Sequence, residues 1–207
     1  MKKVITESKI IEAIKSGRSE IILSKDEILT PLALDRIKDA KLKIRYSIKT
    51  QDYKAINVTG KIAIGSDHTG FKIKKLIKEY LNKLGKTAVD VGTFSEDSCD
   101  YPDFAALVAD KILSNEVDFG IMIDATGIPS AITANKFKGI RAATCYNEFS
   151  AWSARNHNDA NMLVLGAKTL GEETIKSIID KWLNTNFEGG RHQARLDKIK
   201  LIENNKG

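Results

Sequence analysis

Three histidines, a pair of arginines four residues apart and two strand-end aspartates are the side chains of this 207-residue chain best suited to chemistry. Gly65-Ser66-Asp67-His68-Thr69-Gly70 forms a polar, glycine-flanked turn ahead of an amphipathic stretch. At a helix N-terminus such a turn suits an anion, because free backbone N–H groups and the helix dipole converge there. A capped turn without a ligand fits the same residues. The turn is neither GxGxxG nor a Walker A loop, since no Gly-Lys-Ser/Thr follows. Asp124, in Asp124-Ala125-Thr126-Gly127-Ile128-Pro129-Ser130, is placed as a base or hydrogen-bond acceptor, or as a helix cap. His157 and Asn158 follow a later helix and are expected on the same sheet edge as those two loops. Arg191 and Arg195 share one face if residues 189–204 are helical, and two guanidiniums there suit a phosphate. An imidazole, a carboxylate, cations and a helix N-terminus together fit a small phosphorylated molecule.

These groups need elements to hold them. Strands are expected at 61–65, 87–91, 117–123, 140–144 and 161–165, with helices near 70–84, 102–114, 127–137, 148–156 and 171–184 and a final helix over 189–204. Short apolar strands alternating with amphipathic helices predict a parallel sheet covered on both faces. Right-handed crossovers then gather the loops after the strands along one edge. The first 46 residues read as a smaller α-β-α-β module. In it Thr6 caps a helix bearing Ile10, Ile11 and Ile14 and closed by Gly17, and Thr30-Pro31 starts a second bearing Leu34, Ile37 and Lys38. Residues 47–59 lack periodicity and read as a linker, residues 60–207 as the main domain, and no internal repeat is expected.

Composition narrows the classes. No apolar run approaches the roughly 20 residues a bilayer requires. Met1-Lys2-Lys3-Val4 has no apolar stretch behind it, so no signal peptide is expected and a cytoplasmic location is. Cys99 and Cys145 lack metal-type spacing and read as free thiols. The net charge of +6 sits almost wholly in residues 1–58, where 13 Lys+Arg face 8 Asp+Glu. No aromatics interleave with these lysines as a base-stacking surface requires, so a solvated face is expected and not nucleic acid.

Six stretches in order, IAIGSDHTGFKIK, DYPDFA, TGI, ANKFKGIRAA, RNHNDAN and FEGGRHQARLDKI, resemble the type B ribose-5-phosphate isomerase family, which includes galactose-6-phosphate isomerase subunits. They cover about residues 60–203. The resemblance implies a Rossmann-like three-layer α/β/α sandwich with a five-stranded parallel sheet, to which the small α+β N-terminal module is appended. It implies a homodimer or homotetramer with active sites at a subunit interface, and no metal or organic cofactor. The implied reaction is aldose–ketose interconversion through an enediolate. Carried over by motif, His157 opens the sugar ring, while Asp67, Tyr101 and Asn158 hold hydroxyls. Arg191, Arg195 and His68 bind the phosphate, and Lys168 stands where many members have another arginine. Thr126 and the N–H groups after it stabilise the oxyanion, and Gly127 and Ser130 also line the substrate.

This chain departs from the family in the reaction loop. Many members read Cys-Gly-Thr-Gly-x-Gly there, with the cysteine as base. Here Asp124 replaces the cysteine, Ala125 a glycine and Pro129 another glycine. Some relatives use a glutamate at the position of Ser130. Two readings follow. Either Asp124 is the base, or it caps the next helix in a silent sugar-phosphate-binding or structural subunit. The first is the working expectation, because the other site residues are nearly all present. An isomerase for a different sugar phosphate is also open. Finally, VITESKIIEAIKSG and LTPLALDRIKDAKLKI are similar to short N-terminal modules of enzymes associated with bacterial microcompartments, which implies docking to shell or cargo proteins.

Overall fold

A computed structural model describes residues 3–24, 27–47 and 60–205. The chain divides into two compact units, 1–55 and 56–207. Nearly all of the expected linker, residues 48–59, lies outside the described residues.

The first unit has two strands more than expected. Its order is β1 (Lys3–Ile5), α1 (Glu7–Lys15), β2 (Glu20–Ser24), β3 (Glu27–Leu29), α2 (Pro31–Asp39) and β4 (Lys43–Ser47). The strands form two parallel pairs, β1 with β3 and β2 with β4. The first and third strands have three residues each, too short for period-2 patterning to show. The unit is also a repeated β-α-β, contrary to the sequence expectation. After α1, Ser16, Gly17 and Arg18 donate their N–H groups to the carbonyls of Glu12, Ile14 and Ala13. After α2, Ala40, Lys41 and Leu42 make the same set to Arg36, Lys38 and Ile37. Gly17 has φ 73° and Lys41 has φ 51°, so a lysine takes the left-handed place that a glycine signals in the first copy. That substitution hides the repeat. Thr30 caps α2 by accepting from Ala33 N at 3.2 Å. Thr6 makes no such bond to α1; its hydroxyl pairs with that of Ser8. The core is Ile5, Ile10, Ile21, Leu23, Ala33 and Ile37. The buried stripe of α2 therefore runs through Ala33 and Ile37, and Leu34 is exposed.

The second unit matches the expected alternation. Its strands are β5 (Lys61–Ser66), β6 (Thr87–Asp90), β7 (Phe119–Asp124), β8 (Ala142–Thr144) and β9 (Met162–Gly166). Its helices are α3 (Phe71–Lys83), α4 (Tyr101–Leu113), α5 (Ile128–Ala134), α6 (Glu148–Asn158), α7 (Glu172–Leu183) and α8 (Arg191–Asn205). All five strands are parallel, in the order β6-β5-β7-β9-β8. Alternation along the strands sorts the core into two faces. Ile62, Ile64, Ile121, Ile123, Leu163 and Leu165 meet Ile77 and Leu81 of α3, Ala151 and Ala154 of α6 and Trp182 of α7. Ala63, Met122, Met162 and Val164 meet Ala105, Val108 and Ala109 of α4 and Ala134 of α5. Each of the large side chains contributes about 1.5–3 kcal/mol by leaving water. Gly120 lets α4 approach closely: a Cβ there would lie 2.4 Å from Val108 Cγ1.

A buried ion cluster fixes the segment after β6. Lys74 Nζ donates to Asp90 Oδ1 at 2.5 Å and to the Thr93 carbonyl at 2.6 Å, and Lys78 Nζ reaches Asp90 Oδ2 at 2.6 Å. Burial pushes the Lys74 amine down although Asp90 pulls it up. Burial also works against the Asp90 carboxylate, but hydrogen bonds from Lys74, Lys78 and the Gly92 N–H outweigh it and hold the group below its ordinary value. The stabilisation from Asp90 is therefore complete above the ordinary value of 3.8 and is lost as pH falls through the lower folded value. Asp90→Asn leaves Lys74 buried beside a neutral group and is expected to cost about 3 kcal/mol at neutral pH. Urea denaturation from pH 7 to pH 3 checks both statements: the variant starts lower and loses less stability in acid than the parent.

Candidate functional site

The strands β5, β7 and β9 end side by side, and three loops meet there. Asp67 follows β5. Its Oδ1 accepts from Thr69 N at 2.9 Å, Thr69 Oγ1 at 2.6 Å and Gly70 N at 3.1 Å. That carboxylate starts the turn His68–Gly70 and leaves Oδ2 outside these three bonds. Gly70 is required there, since a Cβ would lie 2.7 Å from the Ile123 carbonyl. His68 Nδ1 is held by the backbone of Cys99, 3.3 Å from its N and 3.2 Å from its O. Tyr101, two residues on, opens α4 and is half-buried.

Asp124 ends β7 and is 1% exposed. Its Oδ1 accepts from Thr126 N at 2.8 Å and Gly127 N at 2.6 Å, and its Oδ2 from Ser130 N at 3.1 Å. The Gly127 N–H, first of the groups after Thr126 expected to face an oxyanion, is thus turned to Asp124, as is the N–H of Thr126 itself. Gly127 has φ 83°, and a Cβ there would lie 2.7 Å from Thr144 Cγ2. Ser130, expected at the substrate, is 0% exposed, and its hydroxyl has no hydrogen-bond partner. The cause is its place on the inner face of α5, where its N–H serves Asp124. Thr126 is half-buried beside Tyr146, whose hydroxyl donates to the Thr126 carbonyl at 3.1 Å. Lys168, exposed after β9, is anchored by its N–H on the Ala125 carbonyl at 2.9 Å.

His157, Asn158, Arg191 and Arg195 lie elsewhere, and here the sequence expectation is corrected. A helix returning to a parallel strand ends at that strand's beginning, so the end of α6 lies at the opposite sheet edge. Asn161, just ahead of β9, accepts from Gly120 N near the start of β7. Arg141, just ahead of β8, donates to the carbonyls of Asn158 and Asp159. The five steps along the six residues of β7, at about 3.3 Å each, separate the two edges by roughly 17 Å. At this second edge His157 and His192 stack, ring centroids 4.2 Å apart and 7° from parallel. Trp152 meets His157 edge-on at 4.8 Å. Asn158 is exposed and donates its amide to Ser153 O. Arg191 and Arg195 are exposed in the first turns of α8. Arg155 braces the whole corner: buried, it donates to Asp159 Oδ1 and the Ala160 carbonyl and stacks over Phe119. Burial lowers its value while Asp159 raises it.

His192, Arg155, Tyr146 and Cys99 join these two edges without any sequence signal for a role there. His192 stood in the quoted GGRHQAR stretch, but which residue it faces depends on tertiary packing. The ligand atoms of His157, Glu188 and His192 lie within 4.8 Å of one another. Near-parallel stacked imidazoles hold their nitrogen lone pairs in two separate, near-parallel planes, so the two rings do not converge on one ion.

Residues 62–199 match the family model described as Ribose/Galactose Isomerase. A putative sugar phosphate isomerase of Rickettsia bellii is 51% identical over 67% of this chain and 96% of its own length. Ribose-5-phosphate isomerase B of Escherichia coli is 46% identical over 69% and 96%. Among solved structures, ribose-5-phosphate isomerase B of Clostridium thermocellum superposes with a TM-score of 0.70 at 46% identity, covering 71% of this chain and 99% of that one. The Mycoplasma genitalium enzyme, solved with bound ribulose-5-phosphate, superposes with a TM-score of 0.67 at 44% identity over 70% and 96%.

Removing the Asp124 carboxylate leaves three backbone N–H groups without their acceptor. Asp124→Ala is expected to destabilise the protein by about 2–4 kcal/mol, and Asp124→Asn by less, since its carbonyl still serves Thr126 and Gly127. Thermal denaturation of both variants beside the parent measures the difference.

Proposed function

Because this chain belongs to the ribose/galactose isomerase family and is a sugar-phosphate isomerase, we propose that it interconverts ribose 5-phosphate and ribulose 5-phosphate. The observation that carries the proposal is its match to almost the whole length of a relative solved with ribulose-5-phosphate bound. His157 moves a proton between ring oxygen and hydroxyl to open the sugar. Asp67, Tyr101 and Asn158 hold hydroxyls. Arg191, Arg195, His68 and Lys168 take the phosphate, and the lysine supplies charge without a guanidinium's fork.

In the reaction the C2–H bond breaks and its proton passes to Asp124. The electron pair forms the C1=C2 bond, and the negative charge moves to O1. A proton returns to C1 while the O2 hydroxyl proton passes to O1, leaving the ketone at C2. Protonating Asp124 weakens its hold on the Thr126 and Gly127 N–H groups, which then turn to the enediolate. Thr126 and these donors thereby recover their expected role after proton transfer. A specific observation favours a second reading, in which Asp124 only caps the loop: three N–H bonds and near-complete burial keep it from a substrate unless residues 125–129 shift. Turnover of ribose 5-phosphate by the purified protein and by Asp124→Asn decides between them. Loss of turnover with retained binding supports the base. Undiminished turnover in the variant supports the cap. No turnover in either points to a different sugar phosphate.

The two groups of residues stand at opposite edges of one sheet. We propose that a second copy brings its His157 edge to this chain's Asp67 edge, as a homodimer or within a homotetramer. Exposed Phe94, Ile128, Ile132 and Phe149 are the apolar surface for that contact. His68→Asn and His157→Asn are each expected to be inactive alone. Turnover returning when the two are unfolded and refolded together supports a shared site, and a mixture as inactive as its parts refutes it.

Residues 1–46 we assign to docking on microcompartment shell or cargo proteins. In support, this separate unit presents Val4, Ile22, Ile28 and Leu32 outward. Full-length protein fused to a fluorophore is expected to form foci with co-expressed shells and to become diffuse when residues 1–58 are deleted.

A further inference from the structure

His157 is held in its plane by a residue that no step of the proposed reaction uses. His192, second residue of α8, is 3% exposed and covers one face of the His157 ring. Trp152 abuts His157 edge-on, and the Ser153 hydroxyl lies 3.3 Å from its Nδ1. Because Ser153 engages Nδ1, Nε2 is the nitrogen that would meet a sugar. The stack itself is fastened from behind. Arg191 Nε donates to His192 Nε2 at 3.3 Å, which places the proton of the neutral ring on Nδ1. The Glu188 N–H donates to the Asn156 carbonyl and the Asn156 amide to the Asn186 carbonyl, tying the approach to α8 onto the last turn of α6.

Four charged or titratable groups surround His192: His157 on α6, Arg191 and Arg195 on α8, and Glu188, whose Oε2 is 3.8 Å from Nε2. Burial first and then His157 hold its imidazole below the ordinary value; Glu188 pulls the other way, and Arg191 and Arg195 add smaller downward contributions. A neutral flat ring is what a second imidazole can lie against without charge repulsion.

We propose that His192 is a positioning residue for the isomerisation, a buried flat ring whose face sets the plane of His157 and so aims the nitrogen that opens the sugar. The proposal rests on the assignment of ring opening to His157. It requires flatness at residue 192 and no proton transfer there.

The test uses full-length His192→Ala and His192→Phe. With ribose 5-phosphate, the alanine variant is expected to lose kcat roughly tenfold to a hundredfold, with KM within about twofold. The phenylalanine variant, flat but unable to titrate, keeps most of kcat. An alanine variant with parental kcat overturns the proposal, and so do equal losses in the two variants or a loss confined to KM. A second measurement does not depend on turnover. In NMR spectra the carbon-bound ring protons of His157 carry a ring-current displacement from the stacked ring. That displacement is expected to vanish in the alanine variant and persist with phenylalanine. Unchanged His157 resonances in the alanine variant refute the stack. If the parent protein turns over no ribose 5-phosphate, the substrate assignment fails on its own, and the resonances decide the role of His192.

Discussion

Three carbonyl oxygens at the end of β7 hold the reactive edge together. Ile123 O accepts from Asp67 N at 3.1 Å, Asp124 O from Ala167 N at 2.8 Å and Ala125 O from Lys168 N at 2.9 Å. Each bond lies just past the end of a flanking strand and pins a neighbouring loop to the central one. The loops after β5 and β9 are thus positioned by backbone geometry before any side chain acts. The loop after β7 is then shaped by Asp124, which draws in Thr126, Gly127 and Ser130.

The main domain was largely legible in the sequence because its signals repeat. Five apolar runs separated by amphipathic helices leave little freedom in topology. Helix starts agreed with local chemistry, as with Thr30-Pro31 at the start of α2, where Thr30 accepts from Ala33 N. What misled was direction. Asp67 and Asp124 stand at the ends of strands, whereas His157 stands at the end of a helix, and in a parallel sheet those two kinds of end lie at opposite edges. Spacing along the chain does not carry that information; the alternation of elements does. The small unit was less legible. Three-residue strands have almost no pattern, and Lys41 conceals the turn that Gly17 announces.

At the site, residue types could be read but hydrogen-bond partners could not. The sequence shows an aspartate in place of a cysteine. It does not show that the carboxylate is turned inward onto its own loop, because that depends on Gly127 adopting a left-handed conformation against Thr144 and Leu165. Likewise His192 and His157 are remote in sequence, and only the return of the chain from α7 into α8 makes them a stack.

The pairing in the small unit has its own consequence. Each of its two sheets takes one strand from each β-α-β copy, β1 with β3 and β2 with β4. Among the described residues, neither copy therefore contains a hydrogen-bonded strand pair of its own. Half of the unit is not a smaller version of the whole but a helix between two strands with no ladder to join. Such a unit orders all at once, since the first strand pair closes only when the second copy has arrived. A chain cut between the copies would yield two fragments whose nearest route to structure is each other.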